Sequence, residues 1–193
     1  MALENWTVQR VKRNEVADFI ERWHYSGSIN GCIADFCYAL FDESGFMKGA
    51  MFYGRMAMAN QFKRFADKES DVIELRRLCC VDDTPKNAES FLIGRSLRDL
   101  KKQWEGKIVV SYADKEHNHA GTIYKASNFR QVGDIKGAKI IVHNNRHYHD
   151  KSIRTKYKGK LKPFAQRLLD ALNSGEAFYK ETAGKHTYLY TLR

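Results

Sequence analysis

A carboxylate and two imidazoles follow closely on an apolar run. In SYADKEHNHAGTIYKASNF, residues 111–129, Asp114, His117 and His119 come just after Ile108, Val109 and Val110. An aspartate there can accept a hydrogen bond from an amine and take its proton, and a histidine can relay one. Each also has a plainer role. Asp114 can cap the helix expected after it, and His119 can be a cap or a surface residue. The residues alone leave both readings open.

Other side chains could contribute. His24, Tyr25 and Ser26 are adjacent and follow an amphipathic segment. They offer an imidazole and a stacking ring, or only a histidine favoured by a helix C-terminus beside a packing tyrosine. Arg76 and Arg77 adjoin on a strand, so only one can face inward. A buried Arg77 must be paired, with Glu74 or Asp114 as candidate partners. HNNRHYHD, residues 143–150, invites a metal reading, because His147 and His149 would share one face of a strand. No second ligand cluster of standard spacing accompanies it, and the pattern argues against a metal.

The segment 134–162 carries nine Lys/Arg against two Asp, with Tyr148 and Tyr157 interleaved. Arg146, Lys151, Arg154, Lys156, Lys158 and Lys160 are its candidate phosphate contacts. Cations with interspersed rings suit phosphate tracking with aromatic contact. The plainer alternative is a solvated basic loop. The whole chain has a net charge of +10, which points to a polyanionic partner.

Elements must position these groups. The pattern predicts a strand over 7–11 and a helix capped by Asn14 and running to Trp23. A hairpin follows over 33–41 and 48–53, then an ambiguous, partly helical stretch. Residues 72–81 read as a central strand. A helix capped by Thr84 or Asn87 runs on to about Trp104, with Pro85 tolerated in its first turn. Then come a strand over 108–112, a helix over 120–127, strands over 129–133 and 139–143, a helix over 163–172 and a closing strand, HTYLYTL. The fold class is therefore α/β (α+β): a mixed central sheet with flanking helices. Two strand–loop–helix units put CVDDTPKN and SYADKEHN at strand carboxyl ends, where open α/β sheets bind ligands.

The 193 residues are read as a single domain over 1–193, with 134–162 as a basic elaboration. A secretory signal and a membrane-spanning run are not expected, so the expected location is the cytoplasm. The four cysteines make no Cys-x-x-Cys pair and are expected as buried free thiols.

The series IELRRLCCVDDTPKNAES, SYADKEHNHAGTIYKASNFRQVG and HTYLYTL resembles the GNAT acyltransferase superfamily. In that fold two adjacent parallel strands splay apart and the acyl donor lies on the following helix. Within it, HYSGS, ELRRL, TPKNAES and SYADKEHNHAGTIYKASNF resemble the Mom-type phage proteins. These convert adenine in DNA to N6-carbamoylmethyladenine and so shield phage DNA from restriction. The resemblance runs from about Trp23 to Gly133. It implies Asp114 as base or acceptor of the N6 hydrogen, and His24 and Tyr25 as base-binding or proton-relaying groups. Arg77 would stabilise charge and Tyr124 would act as acid. Ser26, Ser111, Lys86, Asn87, Ser90 and His119 would contact substrate or donor. Ordinary acetyl transfer to protein or small amines, and DNA binding without catalysis, are the alternatives.

The resemblance implies double-stranded DNA as partner, with an adenine flipped out, and leaves the oligomeric state open, a homodimer included. The donor is either acetyl-CoA or glycyl-tRNA. DDTPKNAESFLIG lacks the glycines of the usual diphosphate loop, Arg/Gln-x-x-Gly-x-Gly/Ala. A glycyl group has the heavy atoms of the product's substituent, whereas acetyl brings no nitrogen.

Overall fold

The computed structural model describes residues 3–117 and 119–192. Twelve strands and four α-helices are assigned among them. A seven-stranded sheet has the order β1-β2-β3-β4-β5-β12-β6. Its members are β1 (Thr7–Arg10), β2 (Phe36–Phe41), β3 (Met47–Gly54), β4 (Val72–Cys80), β5 (Ile108–Asp114), β6 (Arg130–Ile135) and β12 (Lys185–Thr191). Pairings β1/β2, β2/β3 and β3/β4 are antiparallel, and β4/β5 is parallel.

The chain divides into two compact units. The first comprises Met1–Ala113, Ala120–Gly133 and His186–Arg193; the second comprises Asp114–His119 and Asp134–Lys185.

In the first unit, α1 (Arg13–Trp23) buries Val16, Phe19 and Ile20, one stripe at helical spacing. They pack on Cys37 of β2 and on Ala50 and Phe52 of β3. The alternate residues, Tyr38, Leu40, Met51 and Tyr53, face α2 (Ala88–Gln103), which buries Leu92, Ile93, Leu97 and Leu100. Period two in the strands thus supplies two cores from one sheet. The helix starts differ from expectation. At α1, Lys12 rather than Asn14 holds the N-cap position, and the Glu15 carboxylate accepts its N–H at 2.8 Å. At α2, Asn87 sits at the cap in a left-handed conformation, φ 70°, without a side-chain cap. The Thr84 hydroxyl instead donates to the Val81 carbonyl.

Two irregularities shape the sheet. Phe52 pairs with Arg77, but the next residue, Tyr53, pairs with Leu75, so Arg76 is an extra residue on β4. This β-bulge resets the strand's parity. Ile73 and Leu75 face the α2 core before it, and Leu78 and Cys80 after it. Glu74, Arg77 and Cys79 consequently share the opposite face. Second, β4 and β5 pair only from Val72↔Ile108 to Leu75↔Ser111, although β4 runs on to Cys80 and β5 to Asp114. The two parallel strands splay apart beyond Leu75 and Ser111, as the resemblance implies.

The helix expected over 120–127 is α3 (Thr122–Ala126). Gly121 precedes it at φ 67°, and a Cβ there would lie 2.3 Å from the Tyr188 ring, so only glycine fits this entry.

The second unit holds a three-stranded antiparallel sheet, β11-β7-β8, of β7 (Lys139–His143), β8 (Arg146–His149) and β11 (Phe178–Glu181). A small hairpin pairs β9 (Lys156–Tyr157) with β10 (Lys160–Leu161). α4 (Pro163–Ser174) buries Ala165, Leu168 and Ala171, and Leu168 and Ala171 pack with Ile141 and Ala177. Asn144 and Asn145, at φ 49° and 58°, form the two-residue turn between β7 and β8. Segment 134–162 is therefore largely structured rather than a solvated loop. The strands β9, β10 and β11 have no counterpart in the sequence reading.

Among the described residues no helix is long and apolar enough to cross a membrane. All four cysteines are free; Cys32 and Cys37 are buried, while Cys79 and Cys80 are only partly so. Burial pushes the Cys37 thiol up to about 11 and that of Cys79 up to about 12, so both stay protonated at neutral pH.

Candidate active site

The sequence Trp23-His24-Tyr25-Ser26-Gly27 ends α1 in a tight turn. The His24 N–H donates to Ile20 O at 2.9 Å, and the Gly27 N–H to His24 O at 2.8 Å. The Ser26 N–H donates to His24 Nδ1 at 3.0 Å. A backbone N–H can only donate, so Nδ1 is the acceptor and the neutral ring carries its proton on Nε2. The imidazole lies against the Tyr25 ring, with centroids 4.2 Å apart. Ser26 Oγ donates to Ser28 O at 3.2 Å and accepts from Arg77 Nε at 3.1 Å. Arg77 also donates to the Arg76 carbonyl at 2.8 Å. This clasp ties the loop after α1 to the far end of β4.

The expected partner of Arg77, Glu74 or Asp114, is thereby corrected. Arg77 holds the loop hydroxyl, while Glu74 lies 3.6 Å from Arg76. The bulge is the physical reason, because it removes Arg76 from the ladder. Arg76 also donates to Arg55 O at 2.8 Å, and its buried Nε has no acceptor among the described residues.

At the splay, the fully buried Ser111 donates to the Leu75 carbonyl at 3.1 Å, closing the last rung of the β4/β5 pair. Tyr124 is buried on α3, and its phenol is pushed up to about 12, chiefly by burial; the nearby Ser111 hydroxyl acts the other way, and Tyr25, Glu74 and Tyr188 raise it further. Such a phenol is a proton donor throughout the neutral range. Tyr112 is likewise pushed up to about 12 by burial and by Glu74, while Gln61 donates to its oxygen at 2.9 Å. The first unit therefore gathers His24, Tyr25, Ser26, Arg77, Ser111 and Tyr124. Sequence reasoning gave Glu74 only a pairing role. Its signal was a carboxylate inside an apolar strand run, VIELRRL, and it is 8% exposed.

Lys86, Asn87 and Ser90 gather at the start of α2, where first-turn N–H groups lack intrahelical partners. Ser90 Oγ donates to Asn87 O at 3.0 Å. No glycine stands here, Pro85 has no N–H, and Asp82, Asp83 and Glu89 add negative charge. This start fits a diphosphate poorly.

Asp114 and His119 group with the second unit. Asp114 Oδ1 accepts the Glu116 N–H at 3.0 Å, and Oδ2 lies 3.0 Å from Lys185 Nζ. The Asp114 carbonyl accepts the His119 N–H at 3.2 Å. Glu116 is bound by Lys180 and by the Ala183 N–H, and Lys115 by Asp134. Of the phosphate candidates, Arg146 is on β8, Lys156 on β9 and Lys160 on β10, with Lys158 in the turn between the last two. Lys151 and Arg154 lie in a 3₁₀ turn, where Arg154 pairs with Asp150 at 2.8 Å. His149 Nδ1 is 2.6 Å from the same aspartate. Among the described residues no group of three His, Cys, Asp or Glu is placed to hold a metal.

Against known proteins, the model of the Mom protein family matches residues 5–193. The chain belongs to the Mom protein family. A relative from Escherichia phage Mu, methylcarbamoylase mom, is 37% identical over 62 residues, covering 32% of this chain and 26% of that protein. The match thus spans about a quarter of the relative's length. Among solved structures, NAA60 of Arabidopsis thaliana in complex with acetyl-CoA has a TM-score of 0.56 at 11% identity, covering 96% of this chain and 98% of that one. Spermidine N-acetyltransferase of Vibrio cholerae, in complex with CoA and spermine, has a TM-score of 0.54 at 9% identity, covering 97% and 96%. At such identities the likeness shows the fold, and this Mom-family chain has that of the GNAT acyltransferases.

Proposed function

We propose that this chain is an acyltransferase-type enzyme that converts adenine in double-stranded DNA to N6-carbamoylmethyladenine, protecting phage DNA from restriction. One observation carries the reading: beyond the last β4/β5 rung, Arg77 clasps Ser26 of the loop that carries His24 and Tyr25, and Tyr124, a proton-bearing phenol, is buried in the same unit. The similarity to a methylcarbamoylase of phage Mu supports it.

The chemistry asks for these groups. Adenine N6 is a weak nucleophile, because its lone pair is delocalised into the ring, and in a duplex the base is stacked and paired. It must be extruded, held and deprotonated late. The half-exposed Tyr25 supplies a face for the extruded base, and His24 Nε2–H supplies a donor for a ring nitrogen. Tyr124 supplies the proton for the leaving oxygen, and Arg77 offsets negative charge at the reacting carbonyl.

Between the two donors, the start of α2 favours glycyl-tRNA, an ester without a diphosphate to seat. N6 attacks the glycyl carbonyl, the C–N bond forms, and the ester C–O bond breaks with the ribose oxygen leaving protonated. The glycine amine then attacks ring C6. As that bond forms, the C6–N6 bond breaks, leaving the old N6 as the carboxamide nitrogen. All atoms are conserved and no oxidant is needed. Acetyl-CoA requires a separate nitrogen source.

Mass spectrometry of nucleosides from cells expressing the chain tests the reaction. Modified deoxyadenosine that disappears with Tyr124→Phe supports it, whereas unmodified DNA despite abundant folded protein refutes it. Transfer of label from the glycine of charged tRNA tests the donor.

A further inference from the structure

A cavity lies wholly within the second unit. It has a volume of about 380 Å³ and is lined by His143, Asn144, Arg146, Tyr148, Phe164, Arg167 and Leu168, within the size range of small-ligand sites. Its walls come from the β7–β8 turn and from one face of α4, where Phe164, Arg167 and Leu168 stand at helical spacing. Leu168 is buried against Ile141 and forms the floor. No carboxylate lines the cavity, and among the described residues neither Arg146 nor Arg167 has an ion-pair partner. Phe164 is 39% exposed, a large apolar ring left open to solvent beside two unneutralised guanidinium groups.

We propose that this cavity holds one unpaired nucleotide, with its base against Phe164 and Tyr148 and its phosphate taken by Arg146 and Arg167. Two forked cations match a phosphodiester, and a ring face accepts any base. A duplex does not offer this combination, because its bases cover one another. The amide of Asn144 and the imidazole of His143 add polar contacts at the rim. The proposal deepens the nucleic-acid reading above and rests on it, in that it gives the second unit a strand-holding pocket distinct from the lysine-rich hairpin. An unpaired DNA strand and a single-stranded RNA end present the same chemistry, so the test carries an arm for each.

The test measures fluorescence anisotropy of the full chain with a short single-stranded DNA, an RNA of the same sequence and the matching DNA duplex. Phe164→Ala should weaken single-strand binding about tenfold and leave duplex binding nearly unchanged. Phe164→Leu, which keeps bulk but has no stacking face, should behave the same way. Arg167→Gln should weaken single-strand binding and lower its salt slope by about one. A larger effect on RNA or on DNA supports the pocket and identifies its source. Equal effects of Phe164→Ala on duplex and single strand, or no effect on either, overturn it. Adenine modification is read separately by mass spectrometry. Single-strand binding that depends on Phe164 without any modified adenine leaves the pocket standing and removes the reaction; the opposite pairing removes the pocket alone.

Discussion

Two sets of polar side chains, one in each unit, are held in opposite ways. Around the splay of the first unit, side chains are already engaged with the chain itself. Arg77 is committed to Ser26, Glu74 to Arg76, and Ser111 to the Leu75 carbonyl. In the second unit, Arg146, Arg167, Lys156 and Lys160 have no ion-pair partner among the described residues. Reaction needs groups fixed before substrate arrives, because orientation is then not lost at the transition state. Phosphate binding needs charge left available, because its driving force is the release of counterions from the nucleic acid. The difference teaches that partnering, rather than charge density, separates the site for chemistry from the surface for grip.

The strongest way to break this contrast is Tyr124→Phe. It keeps the ring packed against Phe129 and Tyr188 and deletes only the proton. We expect modified deoxyadenosine to fall about 10²–10⁴-fold, with DNA binding unchanged by anisotropy. Wild-type levels of product would place the acid elsewhere. Next comes Glu74→Gln. Removing one partner of an ion pair whose side chains are both about 10% exposed should cost about 3 kcal/mol, read as a lower midpoint in urea. An unchanged midpoint would show that Arg76 is held by its other contacts.

A third measurement follows stability against pH. Tyr124 and Tyr112 have folded values of about 12, above the ordinary value of 10.0. Raised phenols contribute stability that is fully present below about 10 and is lost as pH rises through the folded value. Unfolding midpoints should fall between these limits, and less steeply in Tyr124→Phe. A profile identical to wild type would remove burial as the cause. The smallest effects belong to the second unit. Lys156→Ala and Lys160→Ala should each reduce the salt slope of DNA binding by about one. Arg154→Ala should do less, because Asp150 already neutralises it.

The splay was legible in the sequence because a strong apolar run, Ile108–Val110, passes abruptly to Ser-Tyr-Ala-Asp, and because family-like segments flank it. The hairpin of β2 and β3 was legible as two apolar runs joined through Asp42-Glu43-Ser44-Gly45. The role of Arg76 was not. A bulge leaves no local mark, since it depends on which partner residue each strand residue meets, and that is a tertiary choice. For the same reason Arg77 was assigned a carboxylate when the structure gives it a serine. The second unit's short strands were hidden by composition. Lys156–Tyr157 and Lys160–Leu161 are two residues long and mostly exposed, so no alternation of apolar residues announces them. Asp114 was legible as a strand-end carboxylate, but Lys185 and the 116 amide lie outside anything its spacing could specify.

The extra residue at Arg76 means that β4 counts differently from its neighbour. Deleting Arg76 alone would restore an even tally with β3 and leave Leu78 and Cys80 beneath α2. A library of single-codon deletions across this strand should therefore find Arg76 the best-tolerated position, with loss of the guanidinium beside Glu74 as its cost.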